Sequence, residues 1–224
     1  MIHGVLFDYS GTLFHFEPGP GWPSEAADDA ARERLTTMLT APTLSGEHLP
    51  PDLVDAWARR DLDPDVHRIV YMATLAASGV GLTDEEAEAV YVSLTDPEAW
   101  RPYPDTVAVL RGLRAAGVPV AVVSNIAWDI RDVFRRYGVT ELVDEFVLSY
   151  VEGVVKPDPK IFTLACQRIG VAPEQALMVG DSPEADGGAA TIGCATAIVE
   201  PLLAADRPDA LSRIVTDWLP TVGS

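Results

Sequence analysis

The sequence predicts an α/β protein: helices cover both faces of a parallel sheet, and a separate stretch of the chain is mostly helical. Three observations carry this. From Arg101 onward, short apolar runs alternate with stretches of helical character. Most of these runs end at a polar break that contains Ser, Asp or Gly. Residues 25–98, by contrast, show helical periodicity punctuated by proline. Strands alternating with helices of this length imply βαβ units, which bury both faces of a doubly wound sheet.

The first apolar run, Ile2–Phe7, ends at Asp8-Tyr9-Ser10-Gly11-Thr12-Leu13 and reads as a buried strand leading into a functional loop. Pro18-Gly19-Pro20-Gly21 can continue neither a helix nor a central strand and reads as a linker. Glu25–Ala41 is expected to be helical, and Pro42, Pro50-Pro51, Pro64 and Pro97 punctuate the stretch after it. Val66, Ile69, Val70 and Ala73 mark one face of a helix. Thr83 with Glu86 forms a capping-box pattern that opens a helix through Val90 to Leu94. Asp105 is placed to cap a helix that ends before Gly117, and Val118–Val123 is a strand that ends at Ser124-Asn125. Trp128–Tyr137 reads as helix up to Gly138, Phe146–Tyr150 as a strand, and Asp158–Ile169 as helix up to Gly170. Ala176–Val179 is a strand ending at Gly180-Asp181, a short helix stops near Gly193, and Ala195–Val199 is a last strand.

The 224 residues suffice for a large domain or for a core with a smaller insert, and the 48 % apolar content supports a sizeable core. The formal charge of −18 leaves no basic footprint for nucleic acid or an anionic membrane, so neither is an expected partner. Two cysteines, Cys166 and Cys194, are too few for a disulfide scaffold and suit no zinc site; both read as buried and inert. No run of about eighteen apolar residues occurs, and Met1–Phe7 lacks the start of a signal peptide. A cytoplasmic monomer or homodimer is the expectation.

In open parallel sheets, ligands bind beyond the carboxyl ends of the strands. Asp8, Ser124 and Asp181 each stand at or just past such an end, so the fold alone gathers them at one mouth. Lysine occurs only at Lys156 and Lys160, which narrows any amine chemistry to one short segment. Taken singly, these residues have ordinary readings. Asp8 can cap a turn, Ser124-Asn125 can be a plain loop, Lys156 can be a solvated lysine, and Asp181 and Asp186 can be loop carboxylates.

In order along the chain, Asp8-x-Ser10-Gly11-Thr12, Ser124-Asn125, Lys156-Pro157 and Gly180-Asp181-Ser182 with Asp186 resemble the four motifs of the haloacid dehalogenase-like hydrolases. The resemblance spans almost the whole chain and includes a helical cap inserted after the first motif. It implies a Rossmann-like core formed by residues 1–16 and 100–224, with the cap at 17–99. It also implies that Asp8 is a nucleophile; a carboxylate attacking phosphorus or carbon forms a covalent intermediate that water later releases. Gly11 and Thr12 would fit a tight turn beside a bound anion, with Ser124, Asn125 and neighbouring N–H groups holding phosphoryl oxygens. Lys156 would neutralise charge on the nucleophile and substrate. Asp181, with Asp8 and the backbone carbonyl of Ser10, would bind Mg²⁺, an ion suited to hard oxygen ligands. Asp186 would orient Lys156 or a metal-bound water. Lys160 and Glu184 read as solvated.

Phosphatases of this family usually carry a second Asp two residues after the nucleophile, where this chain has Ser10. A hydroxyl is a poor general acid and base near neutral pH, and loss of such a group costs on the order of 10²–10⁴ in rate. A Mg²⁺-dependent phosphatase remains the leading expectation, aided by a good leaving group or by another residue such as His15 in the flap. A metal-independent 2-haloacid dehalogenase is the alternative, since halide leaves without a proton. That subgroup usually shows tyrosine where Ser10 stands, and the pair Asp181 and Asp186 looks like retained metal chemistry. A phosphonate hydrolase needs a cap lysine, and none lies between Leu13 and Arg101. A non-catalytic relative would have no chemical need for Asp8, Lys156 and Asp181 together. The expected substrate is a small phosphorylated metabolite over which the cap closes. In the cap, Arg59, Arg60 and Arg68 read as solvated before they read as an anion site, and Trp57, Tyr71 and Trp100 as core before platform.

Overall fold

The computed structural model describes residues 1–19, 22–23, 28–40, 49 and 53–219. They divide into two compact units, Met1–His15 with Pro102–Ser224, and Phe16–Arg101.

The first unit is built on a five-stranded sheet of β1 (Gly4–Phe7), β4 (Val120–Ser124), β5 (Glu145–Leu148), β6 (Ala176–Gly180) and β7 (Ala195–Ile198). The spatial order is β5-β4-β1-β6-β7, and every pairing is parallel. The three inner strands β4, β1 and β6 are buried at every position, as expected of strands covered on both faces. Edge strand β7 is only half-buried and ends at the exposed Ile198. Phe7 pairs with Val122 on one side and Val179 on the other, so the chain leaves β1, β4 and β6 at one edge of the sheet. Helices α5 (Thr106–Ala115), α6 (Arg131–Arg136), α7 (Ser149–Glu152), α8 (Pro159–Arg168) and α9 (Ala210–Trp218) cover it. Leu6, Ala121, Val123, Val147, Met178, Ile161 and Phe162 belong to one buried cluster that joins the sheet to α8. Cys166 and Cys194 are buried at its margin, with their Sγ atoms 3.9 Å apart.

Several boundaries differ from the sequence reading, each for a local reason. The predicted helix at Trp128–Tyr137 shortens to α6, whose first turn starts only after Asp129 accepts from the Arg131 amide. The strand expected at Phe146–Tyr150 ends at Leu148, because Ser149 starts the helical turn α7. Asp105 makes no side-chain cap on α5; its Oδ2 accepts instead from the Ser212 amide, 2.8 Å away in the first turn of α9. Helix α9, not anticipated from sequence, is thereby fastened to the start of α5.

Short strands β2 (Phe14–Phe16) and β3 (Trp100–Pro102) pair as a two-stranded ribbon on which the chain leaves the first unit and returns. The second unit contains α1 (Asp29–Thr40), α2 (Val54–Ala58), α3 (Pro64–Ala76) and α4 (Asp84–Thr95). Pro20, Gly21, Glu25–Ala27, Ala41, Pro42, Pro50 and Pro51, which the sequence reading assigned to linker, helix or breaks, lie outside the described residues. Both bonds of the Thr83–Glu86 capping box form at the start of α4. The buried face of α3 is rotated from the expected one. His67, Val70, Tyr71, Thr74 and Leu75 point inward, while Ile69 is 54 % exposed. The apolar pattern missed this because two members of the true face, His67 and Thr74, are polar.

His67 is held where it is by chemistry suited to a neutral ring. It stacks on Tyr71 with centroids 4.1 Å apart, and its Nδ1 lies 3.1 Å from the Tyr91 hydroxyl. Tyr71 and Trp100 are core, as expected, while Trp57 is half-buried beneath the Arg60 guanidinium at 4.2 Å. Arg60 also pairs with Asp61 at 3.3 Å, so it is not a solvated arginine; Arg59 is exposed, and Arg68 is an exposed partner of Glu88.

Burial, with the Arg60 charge, lowers the His67 pKa to about 3. The unfolded chain therefore binds the proton first, near pH 6.5. Stability contributed by neutral His67 is fully present above that value and falls as pH drops toward 3, by up to about 1.4 kcal/mol per pH unit. His67→Phe is expected to flatten that part of the acid limb in denaturant unfolding measured between pH 4 and 7; an unchanged limb would contradict the assignment.

Candidate active site

At the edge where β1, β4 and β6 end, the chain brings four charged groups together. Asp8 directly follows β1, and its amide donates to the Val179 carbonyl at 2.9 Å, which fixes the turn against β6. Its carboxylate is almost wholly buried and lies 2.6 Å from Lys156 Nζ. The same ammonium lies 2.6 Å from Asp186 Oδ1. Lys156 is 5 % exposed, so this is a buried cation shared between two buried carboxylates. Asp181, just past β6, completes the cluster. Carboxylate oxygens of Asp8, Asp181 and Asp186 all lie within 4.8 Å of one another.

Each member is positioned by backbone contacts. Asn125, just after β4, donates from Nδ2 to the Lys156 carbonyl at 2.9 Å and accepts the Lys156 amide on Oδ1 at 2.7 Å. Its side-chain amide is thus occupied with placing Lys156. Asp186 accepts from the Ser182 amide on Oδ2 at 2.9 Å, so its two oxygens serve the lysine and the loop. Gly180 and Gly11 make room: a Cβ on Gly180 would fall 2.0 Å from Asp186 Oδ2, and one on Gly11 (φ +74°) 2.1 Å from Asp181 Oδ2.

The loop after Asp8 turns tightly. The amides of Leu13 and Phe14 both donate to the Tyr9 carbonyl, and Gly11 donates to Phe14. Tyr9, buried and packed against Phe14 and Phe134, anchors the turn in the core; a single aromatic in a loop gave no sequence signal of this. Thr12 is fully buried, and its Oγ1 has no hydrogen-bond partner among the described residues. Ser10 is half-buried, and Ser124 ends β4 with 2 % exposure. His15 lies on β2, half-buried, its ring 5.0 Å from that of Tyr103. Lys160 and Glu184 are exposed, as expected. Arg207, from a segment that carried no motif, donates to the carbonyls of Gly11 and Thr12.

The electrostatics arise from one ammonium facing three carboxylates. Burial raises the Asp8 pKa, and Asp186 and Asp181 add to the rise, while Lys156 opposes it. Burial and then Asp186 push Asp181 up to about 6. The two carboxylates raise the Lys156 pKa against its own burial, so the ammonium stays charged. Buried carboxylates this close lose their protons readily only if a further cation joins them. Their oxygen-only donor set, with the Ser10 carbonyl nearby in the chain, fits a hard divalent ion of the Mg²⁺ type.

A profile of the haloacid dehalogenase-like hydrolases matches residues 2–191. The chain belongs to the haloacid dehalogenase-like hydrolases. Within this family it is 32 % identical over 195 residues to a glyceraldehyde 3-phosphate phosphatase of Methanopyrus kandleri, covering 83 % of this chain and 78 % of that protein. It is 29 % identical to a phosphoserine phosphatase of Thermus thermophilus, over 87 % of this chain and 74 % of the other. Among solved structures, the L-2-haloacid dehalogenase of Xanthobacter autotrophicus matches with TM-score 0.67 at 25 % identity, over 99 % of this chain and 86 % of that one. The chain is therefore a hydrolase with a Rossmann-like parallel sheet, and its relatives include both phosphatases and a dehalogenase. No helix among the described residues is long and apolar enough to cross a membrane.

Because Lys156 separates two buried carboxylates, its removal leaves them facing each other. Lys156→Met is expected to destabilise folding by about 3–5 kcal/mol in equilibrium unfolding; a loss within about 1 kcal/mol would show that the cluster is solvated.

Proposed function

We propose that this hydrolase is a Mg²⁺-dependent phosphatase of a small phosphorylated metabolite that works through an aspartyl-phosphate on Asp8. The observation that carries the reading is the third carboxylate. Asp181 stands beside Asp8 and Asp186 with one ammonium among them. A haloacid is itself a carboxylate, and a site with excess negative charge repels it. A phosphoryl group brings more negative charge still, so either substrate needs an added cation, and a divalent ion with phosphate is the natural pairing. Asp8, Asp181 and the Ser10 carbonyl would hold Mg²⁺, which supplies charge that offsets repulsion between nucleophile and substrate. The names of the two phosphatase relatives agree with this choice.

Each of the protein's own residues would have a distinct part. The Asp8 carboxylate attacks phosphorus, and the phosphorus–oxygen bond to the leaving group breaks. Lys156 favours the ionised form of Asp8 against its burial and would stabilise charge as the phosphoryl group transfers. Asp186 and Asn125 are positioning residues that hold Lys156 at the ammonium and at the backbone. The buried Thr12 hydroxyl and Ser124 would bind phosphoryl oxygens. Water then attacks the acyl phosphate, regenerating Asp8 and releasing inorganic phosphate. Ser10 stands where a proton donor would serve the first step and a base the second, and a hydroxyl does both poorly. Substrates with weakly basic leaving groups, such as acyl or aryl phosphates, suit such a site.

A second reading, a metal-independent 2-haloacid dehalogenase, is favoured by the same Ser10, because halide departs unprotonated. The test is release of phosphate or halide from phosphate esters, acyl phosphates and 2-haloacids, with Mg²⁺ and with chelator. Chelator-sensitive phosphate release that is abolished in Asp8→Asn is expected. Ser10→Asp should raise turnover of alkyl phosphates by on the order of 10²-fold. Chelator-resistant halide release would overturn the phosphatase reading.

Metal binding is separately measurable. Mg²⁺ at about 100 times its dissociation constant should stabilise the folded chain by about 2.7 kcal/mol. The corresponding rise in unfolding temperature is expected to vanish in Asp181→Asn, and a rise of equal size in that variant would remove Asp181 from the ligand set.

A further inference from the structure

Arg207 lies outside the span that the family profile matches, in the segment between β7 and α9. It is 3 % exposed. Its Nη1 donates to the Gly11 carbonyl at 2.5 Å, and its Nη2 donates to the Thr12 carbonyl. One planar guanidinium thus grips two successive carbonyls of the loop that comes after Asp8. On its other side the guanidinium carbon stands 3.2 Å from the centre of the Tyr103 ring. The hydrogen bonds of this buried cation go to backbone carbonyls rather than to a carboxylate, a costly arrangement to keep for stability alone.

The geometry gives the contact a specific effect. A peptide unit is planar and trans, so its carbonyl and its N–H point in opposite directions. Holding the Gly11 carbonyl toward Arg207 turns the Thr12 amide away from it and fixes the unit that also carries the unpartnered Thr12 hydroxyl. Gly11 is pressed against Asp181, so a shift of this peptide displaces the carboxylate cluster. The segment bearing Arg207 is itself fastened at both ends. The Tyr103 hydroxyl donates to the Leu202 carbonyl at 3.1 Å, and Asp105 accepts from the Ser212 amide.

We propose that Arg207 is a positioning residue for the hydrolytic reaction: its two-point grip on Gly11 and Thr12 fixes the loop beside Asp8 in its reactive shape. The consequence for turnover rests on the phosphatase reading, whereas the consequence for the loop does not. A lysine in its place offers a single ammonium on a flexible stem and cannot hold both carbonyls in a plane.

The test uses the full chain with Arg207→Lys, Arg207→Met and Arg207→Ala. Hydrogen exchange followed by mass spectrometry is expected to show the Tyr9–Leu13 amides exchanging about tenfold faster in Arg207→Met, with Val120–Val123 of β4 unchanged. With p-nitrophenyl phosphate as probe, kcat per folded molecule should fall on the order of 10²-fold in Arg207→Met, with KM nearly unchanged. Arg207→Lys should recover only part of the loss. Methylguanidinium added to Arg207→Ala should restore part of kcat, which a merely structural role would not allow. Loop exchange at the wild-type rate in Arg207→Met would overturn the proposal. So would wild-type kcat in both Arg207→Lys and Arg207→Met. If the wild-type chain releases no phosphate from the probe while the exchange difference stands, the positioning role holds and the phosphatase reading fails.

Discussion

A lysine ammonium buried between two carboxylates sets the terms for the rest of the site. Moving Lys156, Asp8 and Asp186 out of water costs several kcal/mol per ion, and only close approach with further hydrogen bonds recovers it. Both contacts of the ammonium are 2.6 Å long. They are possible only because the backbone brings three distant segments to one place, one after β1, one before α8 and one after β6. The Asn125 side chain clasps both the amide and the carbonyl of Lys156, and Ser182 holds the other oxygen of Asp186. Gly188 lets the segment 186–192 run against Pro157, where a Cβ would come within 2.6 Å of the ring. The glycines at 11, 180 and 188 are thus required by the closeness of the charges.

The parallel sheet does the gathering. Its inner strands are buried at every position and carry no polar side chain before Ser124 at the last position of β4, so polar residues first become possible where the strands stop. That restriction sorts the chemistry to one edge without any local signal beyond the end of an apolar run. It also leaves an imbalance, since three carboxylates collect there with one ammonium. In a low-dielectric setting such an imbalance keeps protons on the acids or draws in a cation. The raised values of Asp8 and Asp181 express this physically, because both are groups whose ionisation the fold opposes until positive charge arrives.

The same division separates the features legible in the sequence from those that were not. Inner strands and the loops after them were legible, because an apolar run bounded by Asp, Ser or Gly has one good interpretation. The capping box at Thr83 was legible because both partners are local. The face of α3 was not, because His67 and Thr74 are buried by stacking and by a bond to the Val70 carbonyl, which hydrophobic spacing does not register. The partner of Asp105 is 107 residues away and that of Arg207 is 196 residues away, so neither could be inferred from neighbouring residues. The contact that the Asn125 side chain makes was hidden for a related reason. Its position past β4 was readable, but its partner, the Lys156 backbone, exists only after folding.

Ser10 is the remaining asymmetry, and its consequence differs between the two halves of the proposed reaction. In the first half a proton must reach the leaving oxygen, and the need for it depends on the basicity of that oxygen. A substrate can therefore compensate for a weak acid by leaving as a stabilised anion. In the second half the attacking group is always water and the departing group is always the Asp8 carboxylate, whatever the substrate was. No choice of substrate compensates for a weak base there. A site with serine at this position thus places its greater handicap on hydrolysis of the acyl phosphate. In the proposed reaction Lys156 would offset charge in both halves, since its ammonium lies against an oxygen of the Asp8 carboxylate. On the proposed reading, Asp8, Lys156, Asp181 and Asp186 beside a serine would accordingly form the intermediate more readily than they clear it.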